Sequence, residues 1–519
     1  MFRRPPLHYP DRPLHHFLQD AADRHPEKIA LRFDDDVYMY RELDGCGNAF
    51  AHALGRLGLA PNPRVALFVS NRPEWIIAQH GVSLAGGSVV LPNPTWKPTE
   101  VRHAFGLTHP DVVVADAAFA DVVDEVVGSS VTRICVDADA PPGWLSFWDL
   151  VYDSPGRRPA PLPDAALDAD VAFPFSSGTT GLPKAVRHTH RSLVASVINW
   201  NSACTVREDD HVQFFLPLFH IYGIAITGCT WVSAATITLF PRFDLDTMLS
   251  HIEQERVTLA FGAAPIAVAM ANHPDLERYD LSSLRYMLWA ATPIAEDVAQ
   301  RVTARSGIRW LHAYGATEVP GLHCNPVDYP ERCRLDTPGL PVSDLEVRVV
   351  DLETHADVAP GAEGEIIVRG PHMMAGYLPA EADADAFIDG WVRTGDVGWV
   401  EPEGWIHITD RAKEMIKVSG FSVAPAEIEA TLHAHPAVAD CGVYGVPDPA
   451  KGEVPKAAIV LTAPGAASAD DLSAFVAERL AGYKHVDQFV FLEAIPRTTS
   501  GKVLRRALKD ADATLRVSP

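Results

Sequence analysis

Four hydroxyls, two glycines and a lysine crowd the ten residues Phe175-Ser176-Ser177-Gly178-Thr179-Thr180-Gly181-Leu182-Pro183-Lys184, just after the apolar run Val171-Ala172-Phe173. Glycines let backbone N–H groups approach an oxyanion closely, and Lys184 adds a positive charge, so the segment has the make-up of a phosphate-binding loop. It is not a Walker A loop, which needs four residues between its glycines and then Gly-Lys-Ser/Thr. Only two residues separate Gly178 from Gly181, and Pro183 precedes Lys184. The bland alternative is an ordinary polar turn.

Three charged residues further along suit the same chemistry. Glu318, in Tyr314-Gly315-Ala316-Thr317-Glu318, is a hard oxygen donor of the kind Mg²⁺ takes beside phosphates. Asp396, in Thr394-Gly395-Asp396-Val397-Gly398, has a short carboxylate able to accept from two neighbouring hydroxyls. Lys502, in Pro496-Arg497-Thr498-Thr499-Ser500-Gly501-Lys502, is a point charge on a flexible stem. Taken singly, they read as a surface carboxylate, a turn residue and a solvated lysine.

Taken in order, these segments resemble the motifs of the adenylate-forming superfamily, which includes acyl-CoA and aryl-CoA synthetases, firefly luciferase and peptide-synthetase adenylation domains. Further segments fit. Leu216-Pro217-Leu218-Phe219-His220-Ile221-Tyr222-Gly223 is similar to the stretch bordering the acyl pocket, and Trp289-Ala290-Ala291-Thr292-Pro293-Ile294 to an adenine-contacting turn. Asp410-Arg411-Ala412-Lys413 and Ile416-Lys417-Val418-Ser419-Gly420-Phe421 resemble the hinge region. The match spans about Ser176 to Lys502 and is to the superfamily, not to one enzyme.

The resemblance implies a role for each position. The loop from Ser176 through Ser177, Gly178, Thr179, Thr180 and Gly181 to Lys184 would hold the β- and γ-phosphates of ATP. Ala290, Ala291 and Thr292 would line the adenine, Tyr314 would offer it a ring face, and Thr317 would give a hydroxyl to phosphate. Glu318 would be the Mg²⁺ ligand, Asp396 would take the ribose hydroxyls and Arg411 would contact ribose and phosphate. Lys502 would meet the reacting carboxylate and α-phosphate. Lys413 stands at the hinge position between two arrangements of a small domain, one per half-reaction. Lys417 and Gly420 would reach the site in the second arrangement, where Gly420 leaves room for a thiol arm.

The acid pocket implied by the resemblance includes His220, Ile221, Gly223, Gly262, Trp289, Ala313, Val319 and His323. Most are apolar or small, and no Arg or Lys lies in these segments to pair with a second carboxylate, which disfavours diacids. Trp289, Ala290 and Ala313 replace residues usually smaller and are expected to narrow the cavity, favouring aryl or medium-chain acids. The CoA-ligase-like stretch Ile416–Val423 and the absence of a following carrier domain favour CoA as acceptor.

These residues need a scaffold. Apolar runs such as Val65-Ala66-Leu67-Phe68-Val69, Ser88-Val89-Val90-Leu91 and Val112-Val113-Val114-Ala115 alternate with helical patterns through the first 330 residues, predicting parallel sheets covered on both faces. From about 337 to 409 alternating strands predict a small β subdomain. From 411 to 519 strands and two amphipathic helices predict a compact α+β domain. The expected architecture is α/β: residues 1–410 as a large domain of two α/β layers plus the β subdomain, and 411–519 as a small mobile domain carrying Lys502. His211 to Pro241 has no charged residue, but Pro217, Gly223 and Gly228 break it, so it reads as a buried strand–helix–strand rather than a membrane span.

Composition sets outer limits. The 519 residues carry 44 Lys+Arg against 67 Asp+Glu, a net charge of −23, which argues against broad nucleic-acid binding. The balance is zero from Arg411 onward, so the whole excess lies earlier, as expected for two bodies. Seven cysteines, none in a C-x-x-C pair, and an N-terminus without an apolar core point to a cytoplasmic protein with free thiols. The expectation is a soluble ATP-, Mg²⁺- and CoA-dependent acyl- or aryl-CoA synthetase acting on a small carboxylic acid. The alternatives are delivery of the acyl group to a carrier protein or other nucleophile, a non-catalytic nucleotide-binding protein and, more remotely, a luciferase-like oxygenase.

Overall fold

A computed structural model describes the chain except residues 1–3, 177–182, 263, 291–295, 413, 419–420, 449–450, 481, 498–501 and 518–519. It also leaves out the side chains of 164–165, 264–265, 296–297, 417, 421–422, 452 and 512–517.

Two large sheets form the first part. In the eight-stranded sheet, Asp170–Ser176, Ser88–Leu91, Arg64–Phe68, Val112–Ala115, Thr132–Cys135 and Leu145–Ser146 are parallel neighbours, and Lys184–Thr189 closes one side antiparallel. In the nine-stranded sheet, Ile29–Phe33, Thr236–Leu239, His211–Phe214, Leu259–Gly262, Tyr286–Trp289 and Trp310–Tyr314 run parallel. Most of these strands are buried on both faces, which is why they read as unbroken apolar runs. The largest core lies between the sheets, where Leu67, Val114, Val197, Ile226, Leu288 and Leu311 meet.

The uncharged stretch folds as expected: the strand His211–Phe214, the helix Ile221–Ser233 and the strand Thr236–Leu239, with the helix almost wholly buried. Among the described residues no helix is long and apolar enough to cross a membrane. Gly223 is required at the helix start. A Cβ there would stand 2.5 Å from the Leu218 carbonyl oxygen and 2.7 Å from its Cα.

The β subdomain pairs Glu346–Val350, Gly364–Arg369, Trp391–Val400, Ile406–Arg411 and Phe387–Ile388 antiparallel. Two strands from the same stretch leave it. Leu340–Pro341 extends the nine-stranded sheet, and Gly376–Leu378 pairs with Lys184–Thr189. The free edge of the strand Lys184–Thr189 is thus covered by a segment that the pattern alone assigned to the subdomain. The last part is a sheet of Ile416–Val418, Phe421–Val423, Val438–Asp448, Gly452–Leu461 and Gln488–Phe491. The helices Pro425–His433, Ala469–Arg479 and Arg505–Val517 accompany it. It has its own core around Ile428, Val443, Ile459 and Val476.

Candidate active site

The site is assembled from strand ends. Tyr314 closes the strand Trp310–Tyr314, and its Oη donates to Asp396 Oδ2 in the strand Trp391–Val400. Arg411, at the end of the neighbouring strand, sits opposite Asp396 in the pairing register and holds Oδ1 through Nε at 2.7 Å. Its Nη1 also donates to the Thr394 carbonyl at 3.1 Å. Thr394 Oγ1 donates to Ile366 O at 2.7 Å and accepts from Asp396 N at 3.0 Å, which fixes the Thr-Gly-Asp turn. The Asp396 charge pushes the Arg411 pKa up, and burial with the Asp396 charge pushes the Tyr314 phenol up. The carboxylate is therefore pre-aimed, with a neutral phenol on one oxygen and a guanidinium on the other.

Glu318 lies one turn beyond Tyr314. Tyr377 Oη donates to its Oε1 at 2.6 Å, and its own carbonyl accepts from Met374 N at 2.8 Å. Oε2 has no hydrogen-bond donor among the described residues. A single hard carboxylate with one oxygen left over fits Mg²⁺, which is bound through one or two carboxylates plus phosphates and water. Thr317 is anchored by its carbonyl to His188 Nε2 at 2.8 Å, and His188 is fully buried in the strand Lys184–Thr189. Burial pushes the His188 pKa down to about 4, so the ring is neutral at neutral pH and its Nε2–H is free to donate to that carbonyl. Lys184, at the head of the same strand, places Nζ 4.9 Å from the Tyr377 ring centroid.

Lys502 comes from the last domain to the same place. It stands within electrostatic reach of Arg411, Asp396, Glu318 and Glu414. Burial and the Arg411 charge lower its pKa, and Asp396, Glu318 and Glu414 work against them. His220, which caps the helix Ile221–Ser233 by accepting from Tyr222 N at 3.2 Å, feels the same groups. Burial and then the Lys502 charge push it down to about 4, while Glu318 opposes. Four separated motifs thus converge: Tyr314 with Glu318, Asp396, Arg411 and Lys502.

Ser176 ends its strand beside Lys184, and Ala290 is buried in the main core. Ser177, Gly178, Thr179, Thr180, Gly181, Ala291, Thr292, Lys413 and Gly420 lie outside the described residues, as does the side chain of Lys417. The acid-pocket residues divide. Ile221 and Ala313 belong to the core between the sheets, and Val319 packs under the β subdomain with Ile366, Met374 and Tyr377. His323 is fully buried against Tyr314, both ring nitrogens lack partners among the described residues, and burial pushes it down to about 3.

Trp289 corrects an expectation. It does not narrow a cavity beside His220 and Ala313. Strand alternation turns its ring to the opposite face, stacked on Trp310 at 4.2 Å in a separate core. Gly262 makes room for it, since a Cβ there would stand 2.7 Å from the Trp289 ring.

Several contributors escaped the sequence reading. Tyr377 and His188 reach the site from the paired strands Gly376–Leu378 and Lys184–Thr189. Asn71 holds the His220 loop, donating to Leu216 O and accepting from Leu218 N, each at 2.8 Å. Arg505, three residues beyond Lys502, ties the domain to Glu414, to Glu429 at 2.8 Å and to the Val443 carbonyl at 2.8 Å. Only Arg505 had a visible cue, its closeness to Lys502.

Comparison with known proteins agrees with this geometry. The sequence profile of the AMP-binding enzymes matches residues 18–378, and that of the AMP-binding enzyme C-terminal domain matches 427–502. A 4-coumarate–CoA ligase of Oryza sativa subsp. japonica is 34% identical over 96% of this chain and 92% of its own length. The fold is shared with an anthranilate CoA ligase, AuaEII, solved with anthranoyl-AMP (TM-score 0.89, 25% identity, 97% of this chain and 98% of that one). It is shared equally with ATP-bound MatB of Rhodopseudomonas palustris (TM-score 0.88, 26% identity, 96% and 98%). The chain belongs to the AMP-binding, adenylate-forming enzymes, is most like their CoA ligases, and is an AMP-forming acid–thiol ligase that uses ATP, Mg²⁺ and CoA.

Proposed function

We propose that this chain activates a hydrophobic acid, aryl or medium-chain fatty, as its acyl-AMP and passes the acyl group to CoA. The observation that carries the adenylation half is the meeting of Asp396, Arg411, Glu318 and Lys502 around one cleft. The acid's carboxylate oxygen attacks the α-phosphorus, and the bond to pyrophosphate breaks. Anions crowd together in that step, so its barrier is electrostatic and positional. Asp396 and Arg411 hold the ribose side, Lys184 and the Ser176–Gly181 loop the β- and γ-phosphates, and Lys502 the attacking carboxylate with the α-phosphate. Bound through Glu318, Mg²⁺ supplies charge neutralisation at the phosphates.

His220, held neutral, borders the carboxylate end of the acid. It adds no fixed charge to compete with Lys502. The apolar tail is assigned to the surroundings of His220, Gly223, Ala313, Val319 and His323, which offer no cation for a second carboxylate. The names of the coumarate and anthranilate ligases favour the aryl reading. For the second half, residues 411–519 are assigned as a mobile domain hinged near Lys413. Its rotation would exchange Lys502 for Lys417 and Gly420, and the CoA thiolate would attack the acyl carbon and release AMP.

A pyrophosphate–ATP exchange screen over aromatic and aliphatic acids, repeated with CoA, tests the proposal. Exchange with aryl or medium-chain monoacids and CoA-dependent AMP release are expected. Exchange confined to diacids overturns the pocket assignment. AMP release that needs a carrier protein or an amine instead of CoA overturns the acceptor. No exchange with any acid overturns the reaction.

A further inference from the structure

We infer that Tyr377 is a positioning residue that aims Glu318 at the metal–phosphate site and ties that carboxylate to the phosphate loop. The inference rests on the adenylating reading only through its nucleotide.

Tyr377 is nearly buried, and three contacts meet on it. Its Oη donates to Glu318 Oε1 at 2.6 Å. Ser176, the last described residue before the loop, stands near enough to oppose the rise in the phenol's pKa that burial and Glu318 cause. The Lys184 ammonium, the first charge after the loop, lies 4.9 Å from the ring centroid, within cation–π range. One aromatic side chain therefore meets the first charge after the loop, the carboxylate placed opposite it and the neighbourhood of the loop's other end.

The backbone is built to keep it there. Tyr377 sits in the strand Gly376–Leu378, opposite Val186 in the pairing register with Lys184–Thr189. Its N–H donates to Asp383 Oδ1 at 2.7 Å. Gly376 has φ +137°, and a Cβ there would stand 2.5 Å from the Asp383 carboxylate, so the turn needs glycine. The ring belongs to the core of Val186, Val319, Met374 and Ile406.

The phenol occupies Oε1, and among the described residues Oε2 has no hydrogen-bond donor. A carboxylate pinned through one oxygen loses less rotamer freedom when the other takes up a cation. The same hydroxyl cannot be supplied by water of equal placement, since the ring is packed into a core. Tyr377→Phe therefore removes the pin and keeps the ring under Lys184.

The test measures ATP binding by calorimetry on the full chain, with Mg²⁺ and with excess chelator, for wild type, Tyr377→Phe, Glu318→Gln and the double variant. Thermal melts serve as the folding control. The expected result is that Tyr377→Phe loses about tenfold of the Mg²⁺-dependent gain in affinity, the size of one charge-assisted hydrogen bond. Metal-free ATP binding should stay within about twofold of wild type, and the double variant should be no worse than Glu318→Gln. In exchange assays the half-saturating Mg²⁺ concentration should rise about tenfold with the acid KM unchanged. Equal losses with and without Mg²⁺, no loss, additive effects in the double variant, or a wild type indifferent to Mg²⁺ would each overturn the inference. If Tyr377→Phe does not fold, Glu318→Asp, whose shorter arm cannot keep the phenol and the metal together, should show the same Mg²⁺-selective loss, and an unselective one overturns the inference. Wild-type exchange is measured alongside. Its failure would sink the proposed reaction, while the Mg²⁺ dependence of ATP binding would still decide the role of Tyr377.

Discussion

An ammonium group stabilises whatever negative charge develops beside it. Lys502 stands within electrostatic reach of Arg411, Asp396 and Glu318, and those two carboxylates are themselves oriented, Asp396 by Arg411 and Tyr314 and Glu318 by Tyr377. Lys502→Ala is expected to slow pyrophosphate exchange about 10²–10³-fold, the range for removing one pre-aimed electrostatic contact. Thioester formation from preformed acyl-AMP should remain within a few fold of wild type, because no pyrophosphate leaves in that step. Rapid-quench measurement of both half-reactions checks this, and equal losses would remove Lys502 from the first half-reaction as a specific participant.

At the scale of elements, the His220 loop is anchored from two directions. Asn71 clamps it on both sides of Pro217, and Gly223 N donates to His220 O at 2.8 Å. A methyl group at 223 would strike Leu218 backbone, which has nowhere to go. Gly223→Ala is expected to cost about 1–3 kcal/mol of stability, the usual cost of overpacking, and to lower exchange by at least tenfold by displacing His220. A melt and exchange kinetics decide it; near-normal exchange would mean that the loop yields. This element was readable in outline. The uncharged run announced a buried helix between strands because burial on all sides demands it, and Val112–Ala115 announced a central strand for the same reason. The motif residues carried a reading too, as chemically suited groups in family order. Their partners were hidden. Gly376–Leu378 joins a strand almost two hundred residues earlier, and no local periodicity encodes such a pairing. Trp289 was misread because one residue of strand register decides which face a ring takes.

At the scale of the whole molecule, burial holds seven imidazoles well below their ordinary pKa. Burial pushes His188, His190, His220, His251, His312 and His372 down to about 4 and His323 to about 3. In the unfolded chain each would titrate near the ordinary 6.5. Between those values the unfolded state binds more protons, so stability falls as pH drops from about 6.5 to about 4 and the loss levels off below. Asp410 and Glu429, raised by burial, work in the opposite sense, but there are two of them against seven rings. The melting temperature should therefore fall steeply across pH 6.5 to 4, with the decline beginning well above the range in which ordinary carboxylates are protonated. His372 isolates one contribution. Its Nε2 meets the Gly321 carbonyl at 2.9 Å and its Nδ1 lies 3.4 Å from Asn199 Nδ2. His372→Gln can keep a donor to that carbonyl and takes up no proton. It should lower the melting temperature at pH 7 but shrink the acid loss by on the order of 3 kcal/mol, at about 1.4 kcal/mol per unit of depression. Calorimetric melts at pH 7, 6, 5 and 4 on both proteins measure the difference. Parallel curves would show that His372 is already protonated in the native state or that its site opens before it titrates.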